Sequence, residues 1–351
     1  MSRVRVSISR VLAVAVLPVA ILSLSKPQAN GPERSGAELV WPGPPAEPRI
    51  RFLGVISTPQ DLDIGRGWLG RLRRAVKGGP ARQIVRPHGI AKDSHGRLFV
   101  VDTFYRSVHV FDVNASRYYR FPANPIDGFL QPVGVAASGD GDVFVSDSEA
   151  GVIHFFREHG KKYVGLIGED ELERPTALVI NVETGDLLAV DTLAGQVVVF
   201  DLATLEKKKV VGGKGSGEGR FNYPTGIALA ADGTLHVVDS LNFRVQLLSS
   251  DYEFLREFGR AGDTPGHFSR PKGVAVDSER NTYVVDALFD NVQIFDPEGR
   301  LLLAFGSPGQ GEGEFWLPNE IFVDGEDRVY VSDTYNQRLQ VFQFLKAGSP
   351  R

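Results

Sequence analysis

The sequence predicts an all-β protein folded as a six-bladed β-propeller, on the strength of three observations. It contains 39 glycines and 21 prolines but a single methionine in 351 residues, which favours strands and turns over helix bundles. A proline-led segment recurs six times at intervals of 43 to 49 residues. Each copy alternates apolar strand patterns with tight polar turns.

The repeat is recognised by its proline and by an aspartate 15 or 16 residues later. The six copies begin with RPHGIAKD (86), QPVGVAAS (131), RPTALVIN (174), YPTGIALA (223), RPKGVAVD (270) and LPNEIFVD (317). The aspartates are Asp102, Asp147, Asp191, Asp239, Asp286 and Asp333. Because one occurs in every copy, we expect a structural role, in which each carboxylate accepts N–H groups of the turn that follows it.

Each copy predicts one propeller blade of four antiparallel strands. A first apolar strand leads through a turn such as SGDGD or AADGT, typical of hairpins, to a second strand that ends at the aspartate. A third strand and, in most copies, a fourth follow. The last copy ends at LQVFQF (339–344) without a fourth strand. We expect the N-terminal segment RIRFLGVIS (49–57) to complete this blade and close the ring, since an open ring would expose two strand edges.

The glycine-rich stretch GGKGSGEGRF (212–221) looks at first like a phosphate-binding loop. Such a loop needs a helix after it, but Pro224 and Gly226 stand where that helix would begin. Related stretches occur at 258–273 and 305–320. We therefore expect these loops to connect successive blades, with Phe221, Phe268 and Phe315 packed between blades.

These motifs, P-x-G-[IV]-A, V-x-D-[ST] and V-x-[VI]-F with glycine-rich links, resemble the NHL repeat over residues 86–344. The resemblance implies ligand binding around the mouth of the central channel. It also implies two enzymatic alternatives. One relative, the lyase that completes peptide amidation, holds zinc with histidines that follow the repeat proline, and here only His88 stands in that register. Lactonase-like propellers bind a divalent ion with acidic and amide groups, for which Asn319 and Glu320 are the only hints.

The residues outside the repeats indicate export. Arg3, Arg5 and Arg10 precede the apolar run 11–22, so residues 1–25 are predicted to be a signal peptide or an N-terminal anchor, and the protein to reach the periplasm or cell envelope of a bacterium. Residues 26–48 form an extended, Pro-rich lead-in, 49–345 the propeller and 346–351 a C-terminal tail.

Within the propeller, residues 65–79 predict a basic amphipathic helix before the first blade. This helix either caps the closing blade or binds a partner or an anionic membrane surface. The chain has no cysteine, which excludes disulfides and thiolate chemistry. Its net charge of −4 offers no general electrostatic basis for nucleic-acid binding.

Two sets of side chains are predicted to converge at the channel mouth. The side chains of one set follow the repeat prolines, and those of the other set lie in the loops after the repeat aspartates. The candidates are His88, Phe104, Tyr105, Arg106, Thr176, Thr225, Phe243, Arg244, Lys272, Phe289, Asn319, Tyr335 and Arg338. Aromatic and arginine side chains favour protein contacts. The sequence therefore predicts a non-catalytic scaffold that binds a protein, a peptide or an anionic ligand, without nucleic acid, cofactor or metal. The alternative is a metal-dependent lyase or lactonase-like hydrolase.

Overall fold

The computed structural model describes residues 38–64, 83–122 and 128–346. The predicted signal segment, the helix at 65–79 and the tail beyond residue 346 lie outside these residues. Of the predicted lead-in, only 38–48 is described, and it contributes a two-residue strand rather than a purely extended link. No helix in the described part of the chain is long and apolar enough to cross a membrane.

Six antiparallel sheets follow one another along the chain, and each is one blade. The N-terminal strands are β1 (Val40–Trp41) and β2 (Ile50–Ile56). The first blade contains β3 (Pro87–Lys92), β4 (Leu98–Asp102), β5 (Ser107–Asp112) and β6 (Arg117–Phe121). The second contains β7 (Pro132–Ala137), β8 (Val143–Asp147), β9 (Val152–Arg157) and β10 (Lys162–Ile167). The third contains β11 (Pro175–Asn181), β12 (Asp186–Asp191), β13 (Gln196–Asp201) and β14 (Lys207–Gly212).

The remaining blades repeat this order. The fourth contains β15 (Pro224–Leu229), β16 (Leu235–Asp239), β17 (Arg244–Leu248) and β18 (Phe254–Phe258). The fifth contains β19 (Pro271–Val276), β20 (Thr282–Asp286), β21 (Asn291–Phe295) and β22 (Leu301–Phe305). A short parallel pair, β23 (Ser307–Pro308) and β24 (Glu314–Phe315), precedes the sixth blade. That blade contains β25 (Ile321–Val323), β26 (Arg328–Asp333) and β27 (Arg338–Phe344), followed outward by β2 and β1. The only helical segments described are the 3-10 turns Pro59–Leu62, Glu158–Gly160 and Ser240–Asn242.

The inner strands of the six blades surround a central channel. Each of β3, β7, β11, β15, β19 and β25 contacts the inner strand of the next blade, and β25 contacts β3. In the sixth blade, β2 runs antiparallel to β27, with Ile50 opposite Phe344 and Ile56 opposite Leu339. The prediction of an all-β fold with six propeller blades is confirmed.

The hydrophobic core lies in layers between neighbouring blades. One layer joins Val199 and Val211 of the third blade to Leu235 and Leu248 of the fourth, with Phe221 between them. Phe221, Phe268 and Phe315 are all fully buried, as predicted. A Cβ at Gly212, where φ is +94°, would lie 2.5 Å from the Phe221 ring. The glycines of this loop therefore let the chain wrap a buried phenylalanine.

The repeat aspartates fasten the ends of the blades, which confirms their predicted structural role. All six are fully buried. In the first blade, Asp102 accepts N–H groups from Val85 (2.8 Å), before the inner strand, and from Phe104 (3.0 Å), in the turn after the second strand. The segment before the inner strand donates such a bond in every blade. These bonds hold two separate segments at one end of each blade.

Candidate functional site

The loops that follow the repeat aspartates form one face of the ring, called here the Asp-loop face. Its loops are 103–106, 148–151, 192–195, 240–243, 287–290 and 334–337. The fourth residue after each aspartate has a positive φ: Arg106 (49°), Gly151 (70°), Gly195 (66°), Phe243 (57°), Asp290 (50°) and Gln337 (58°). Because the turn geometry repeats, residues at equivalent positions point in equivalent directions.

The second residue after the aspartate is a large, exposed apolar side chain in five of the six blades. These residues, called here the apolar annulus, are Phe104 (60% exposed), Leu193 (41%), Leu241 (51%), Leu288 (53%) and Tyr335 (49%). The second blade has Glu149 instead. The exposed Trp316 extends the annulus, since its ring lies 5.5 Å from that of Tyr335. The sequence analysis named Phe104 and Tyr335 but missed the three leucines. The signal that could have found them is their constant position after the aspartate.

The other predicted aromatics are less available. Tyr105 is half-buried, with the Phe104 ring 5.2 Å away and the Arg120 guanidinium 4.3 Å from its ring centre. Phe243 packs against the buried cluster of the fourth and fifth blades, and Phe289 is half-buried. These side chains support the loops more than they present a surface.

Two predicted binding cations, Arg244 and Arg338, are structural, which corrects the sequence analysis. Arg244 Nε donates to Asp239 Oδ2 at 2.9 Å, and its Nη2 donates to the carbonyls of Gly217 and Arg220. Arg338 makes the equivalent bonds in the sixth blade. Both guanidinium groups therefore fasten the glycine-rich loop that precedes their blade, and most of their donors are used within the propeller.

Other arginines supply the positive charge of the Asp-loop face. Arg106, which the sequence analysis named, is exposed, and so are three arginines that directly precede repeat prolines: Arg86, Arg174 and Arg270. Arg174 donates a hydrogen bond to the Tyr223 hydroxyl at 3.1 Å. Among the described residues, none of these four arginines forms an ion pair with a carboxylate.

Three polar side chains that were predicted to line the mouth instead connect inner strands and loops. Thr225 Oγ1 donates to the Lys272 carbonyl at 3.0 Å. Asn319 Nδ2 donates to Thr334 Oγ1 at 3.1 Å, and Thr176 Oγ1 lies 2.8 Å from Thr192 Oγ1. Their hydrogen-bonding capacity is partly used within the propeller.

Three ionisable residues near the start of the inner strands, His88, Lys272 and Glu320, have shifted pKa values. Burial, assisted by the charge of Lys272, lowers the pKa of His88 to about 4. Burial and the nearby Arg270 lower the pKa of Lys272 to about 8. Burial raises the pKa of Glu320 to about 8. His88 Nδ1 is buried without a hydrogen-bond partner among the described residues. His88 is therefore neutral at pH 7, and most of Glu320 is protonated.

No group of three or more histidine, aspartate or glutamate side chains within the described part of the chain is arranged to hold a metal ion. In particular, Lys272 stands beside the Asn319 and Glu320 pair that suggested a divalent-ion site, and its charge opposes cation binding there.

Comparison with known proteins supports the architecture. A family model described as a six-bladed β-propeller matches residues 268–347. The chain has a six-bladed β-propeller fold. No curated protein matches it.

Solved structures of different functions share this fold. Virginiamycin B lyase from Staphylococcus aureus is 15% identical, with a TM-score of 0.53 over 75% of this chain and 96% of the lyase. A gluconolactonase from Xanthomonas campestris is 16% identical, with a TM-score of 0.56 over 74% and 86%. An auxiliary nutrient binding protein from Bacteroides thetaiotaomicron is 13% identical, with a TM-score of 0.57 over 76% and 71%. At these identities the similarity shows the fold alone, since one fold hosts both enzymes and binding proteins.

Proposed function

We propose that this protein is a non-catalytic binding module that engages an acidic, partly apolar protein or peptide on the Asp-loop face. The observation that carries the proposal is the apolar annulus, in which five blades expose a large apolar side chain at the same position. Large apolar side chains exposed together on one face of a domain are typical of interaction sites. The repeated turn exposes this position in every blade, but fold stability gives no reason to place a large apolar side chain there.

The arginines of the Asp-loop face indicate what kind of partner it binds. Arg86, Arg106, Arg174 and Arg270 are exposed on this face and lack carboxylate partners among the described residues. Glu149, Glu173 and Asp290 on the same face offset part of this charge, but the chain as a whole is negative, with a net charge of −4. An acidic partner would be attracted to this face and repelled elsewhere, which gives orientation and a faster encounter.

We further propose that the propeller is of the NHL type and that it acts in the bacterial cell envelope. The repeat motifs over residues 86–344 support the first part. The basic and apolar segment at residues 1–25 supports export, with the propeller placed in the periplasm.

A pair of matched double variants tests the binding face. Leu241→Glu with Leu288→Glu places two carboxylates in the apolar annulus. Leu255→Glu with Leu302→Glu changes two leucines of similar exposure, 51% and 56%, on the outer strands β18 and β22. We expect both proteins to fold, because all four side chains are exposed. Chemical crosslinking in cells should join the wild type and the outer-strand variant to the same partner, and the annulus variant should lose it.

The proposal would be wrong if the annulus variant kept the same partner at unchanged yield, or if only the outer-strand variant lost it. The charge argument is tested separately with Arg86→Glu and Arg270→Glu. These substitutions should weaken the interaction most at low ionic strength, where charges are least screened.

A further inference from the structure

The inner strands enclose a second site, distinct from the Asp-loop face. It is a cavity of about 250 Å³ along the second half of the inner strands. Every blade contributes to its largely apolar lining, with Ile90, Ala137, Ile180, Leu229, Val276 and Val323 as one residue from each. An apolar cavity of roughly 150 Å³ is enough to bind benzene. This cavity therefore has room for a small organic molecule.

The inner strands pack tightly against one another at the end of the cavity nearest the Asp-loop face. The residue two places after the repeat proline is glycine in four blades, because the inner strands approach each other closely there. A Cβ at Gly89 would lie 2.5 Å from the Val133 carbonyl oxygen, and a Cβ at Gly226 would lie 2.5 Å from the Lys272 carbonyl oxygen. The cavity lining begins at this level, with Gly89, Gly134 and Glu320, and extends to Lys92, Val182 and Val323 near the turns between the first and second strands.

Glu320 occupies this glycine position in the sixth blade and lines the cavity at this end. Its Oε1 accepts the Ile321 N–H at 3.1 Å and lies close to Gly273. No described residue donates a hydrogen bond to Oε2. Since that atom is also not sealed from solvent, it remains available to a molecule in the cavity.

The surroundings of Glu320 argue against a charged ligand. Lys92 is the only other ionisable residue in the described lining, and its Nζ is already 2.6 Å from Asp324 Oδ2. A ligand carboxylate would thus find no unpaired cation among the lining residues, and a ligand ammonium would find only Glu320, whose burial favours the neutral carboxyl. Since burial raises the pKa of Glu320 to about 8, its carboxyl group is mostly neutral at pH 7 and can both donate and accept a hydrogen bond.

We propose that this cavity binds a small, uncharged, mainly hydrocarbon molecule whose single hydroxyl or amide group hydrogen-bonds to the Glu320 carboxyl. The inner strands form the inner edges of their sheets, so their backbone N–H and C=O groups add further neutral hydrogen-bonding partners. This pattern of an apolar cavity with few polar groups is typical of small-molecule sites. The inference does not depend on the function proposed for the Asp-loop face.

The test is a ¹⁹F NMR titration of the full chain with 4-fluorobenzyl alcohol at pH 7. We expect saturable binding that weakens at least about tenfold in Val276→Trp, because the larger side chain fills the cavity. Val276 is half-buried, lines the cavity and belongs to none of the core layers between blades. Leu302→Trp, on the outer strand β22, is the matched control and should bind as the wild type does.

Two variants test the hydrogen bond between the ligand and the Glu320 carboxyl. Glu320→Gln keeps a neutral donor and acceptor, and Glu320→Leu removes both. Binding of the alcohol should persist in the first variant and weaken in the second. The charged analogues 4-fluorobenzoate and 4-fluorobenzylamine should bind the wild type at least about tenfold more weakly than the alcohol. The proposal would be overturned by undetectable binding of the alcohol, by unchanged binding in Val276→Trp, or by tighter binding of either charged analogue.

Discussion

Arg244 and Asp239 form a buried ion pair in the fourth blade, with Arg244 Nε 2.9 Å from Asp239 Oδ2. The same arginine donates to two carbonyls of the glycine-rich loop that enters the blade, at Gly217 and Arg220. Arg338 and Asp333 repeat this arrangement in the sixth blade at 2.7 Å. One side-chain pair thus connects the end of the second strand, the third strand and the loop from the preceding blade.

Replacement of Arg244 by leucine should destabilise the fold strongly. It would leave the fully buried Asp239 carboxylate without its charged partner. Breaking such a pair costs about 3–5 kcal/mol of unfolding free energy. Arg256→Leu, at an exposed position on the neighbouring strand β18, should change the unfolding free energy by less than about 0.5 kcal/mol. Urea unfolding of both variants checks the prediction, and equal losses would contradict it.

Gly273→Ala should destabilise the inner ring. The new Cβ would lie 2.5 Å from Glu320 Oε1 and 2.9 Å from the Asn319 carbonyl oxygen. Because the backbone of the next blade must shift, we expect a loss of about 1–3 kcal/mol. At Gly217 no atom lies within 4 Å of a new Cβ, so Gly217→Ala should cause no loss. Thermal unfolding of the two alanine variants distinguishes them, and an unchanged melting temperature for Gly273→Ala would show that the strands are farther apart.

Glu320 should make the stability of the protein fall as the pH rises. Burial raises its pKa in the folded state from 4.5 to about 8. Between these values the folded protein keeps a proton that the unfolded chain releases, so the unfolding free energy decreases with pH. The slope approaches about 1.4 kcal/mol per pH unit at most. Glu320→Gln removes this penalty, and its stability relative to the wild type should therefore increase from pH 5 toward pH 8.

Denaturant unfolding at several pH values measures this difference. Lys272, whose pKa is lowered from 10.5 to about 8, changes the unfolding free energy mainly above pH 8. His88, whose pKa is lowered from 6.5 to about 4, changes it between these two values in the wild type and in Glu320→Gln alike, so its contribution cancels in the difference. The exposed Glu183→Gln is the control and should show no such trend. A constant difference between Glu320→Gln and the wild type across this range would mean that Glu320 is ionised in the folded protein.

The metal-dependent lyase or lactonase-like alternative has a direct test. Elemental analysis of the purified protein should find calcium, zinc, iron and manganese below one ion per chain. The described residues contain no group of three acidic or imidazole side chains that could bind a metal ion. In addition, the charge of Lys272 beside Glu320 opposes cation binding. A stoichiometric ion that is lost in His88→Ala or Asn319→Ala would contradict this prediction and favour the enzyme.

Much of the fold was predictable because each blade repeats the same local signals. The proline, the aspartate and the alternating strands recur six times, so chance matches at single positions do not matter. Phe221 was predictable as a buried residue because it closes a glycine-rich loop. Arg244 was misinterpreted as a surface cation, because sequence patterns do not show where a guanidinium finds its hydrogen-bond acceptors. Leu288 was overlooked, because a leucine in a loop attracts attention only when its equivalents in other blades are also exposed.

The sequence by itself determined the number of blades, the order of the main strands within each repeat and the structural role of the repeat aspartates. These properties follow from periodicity and local turn chemistry, which act over a few residues. Only the tertiary structure decided which side chains are available. Arg244 is engaged and Glu320 is half-buried because of contacts with residues distant along the chain, whereas Leu288 stays exposed. The apolar annulus and the central cavity therefore emerge only when six similar blades are assembled around one axis.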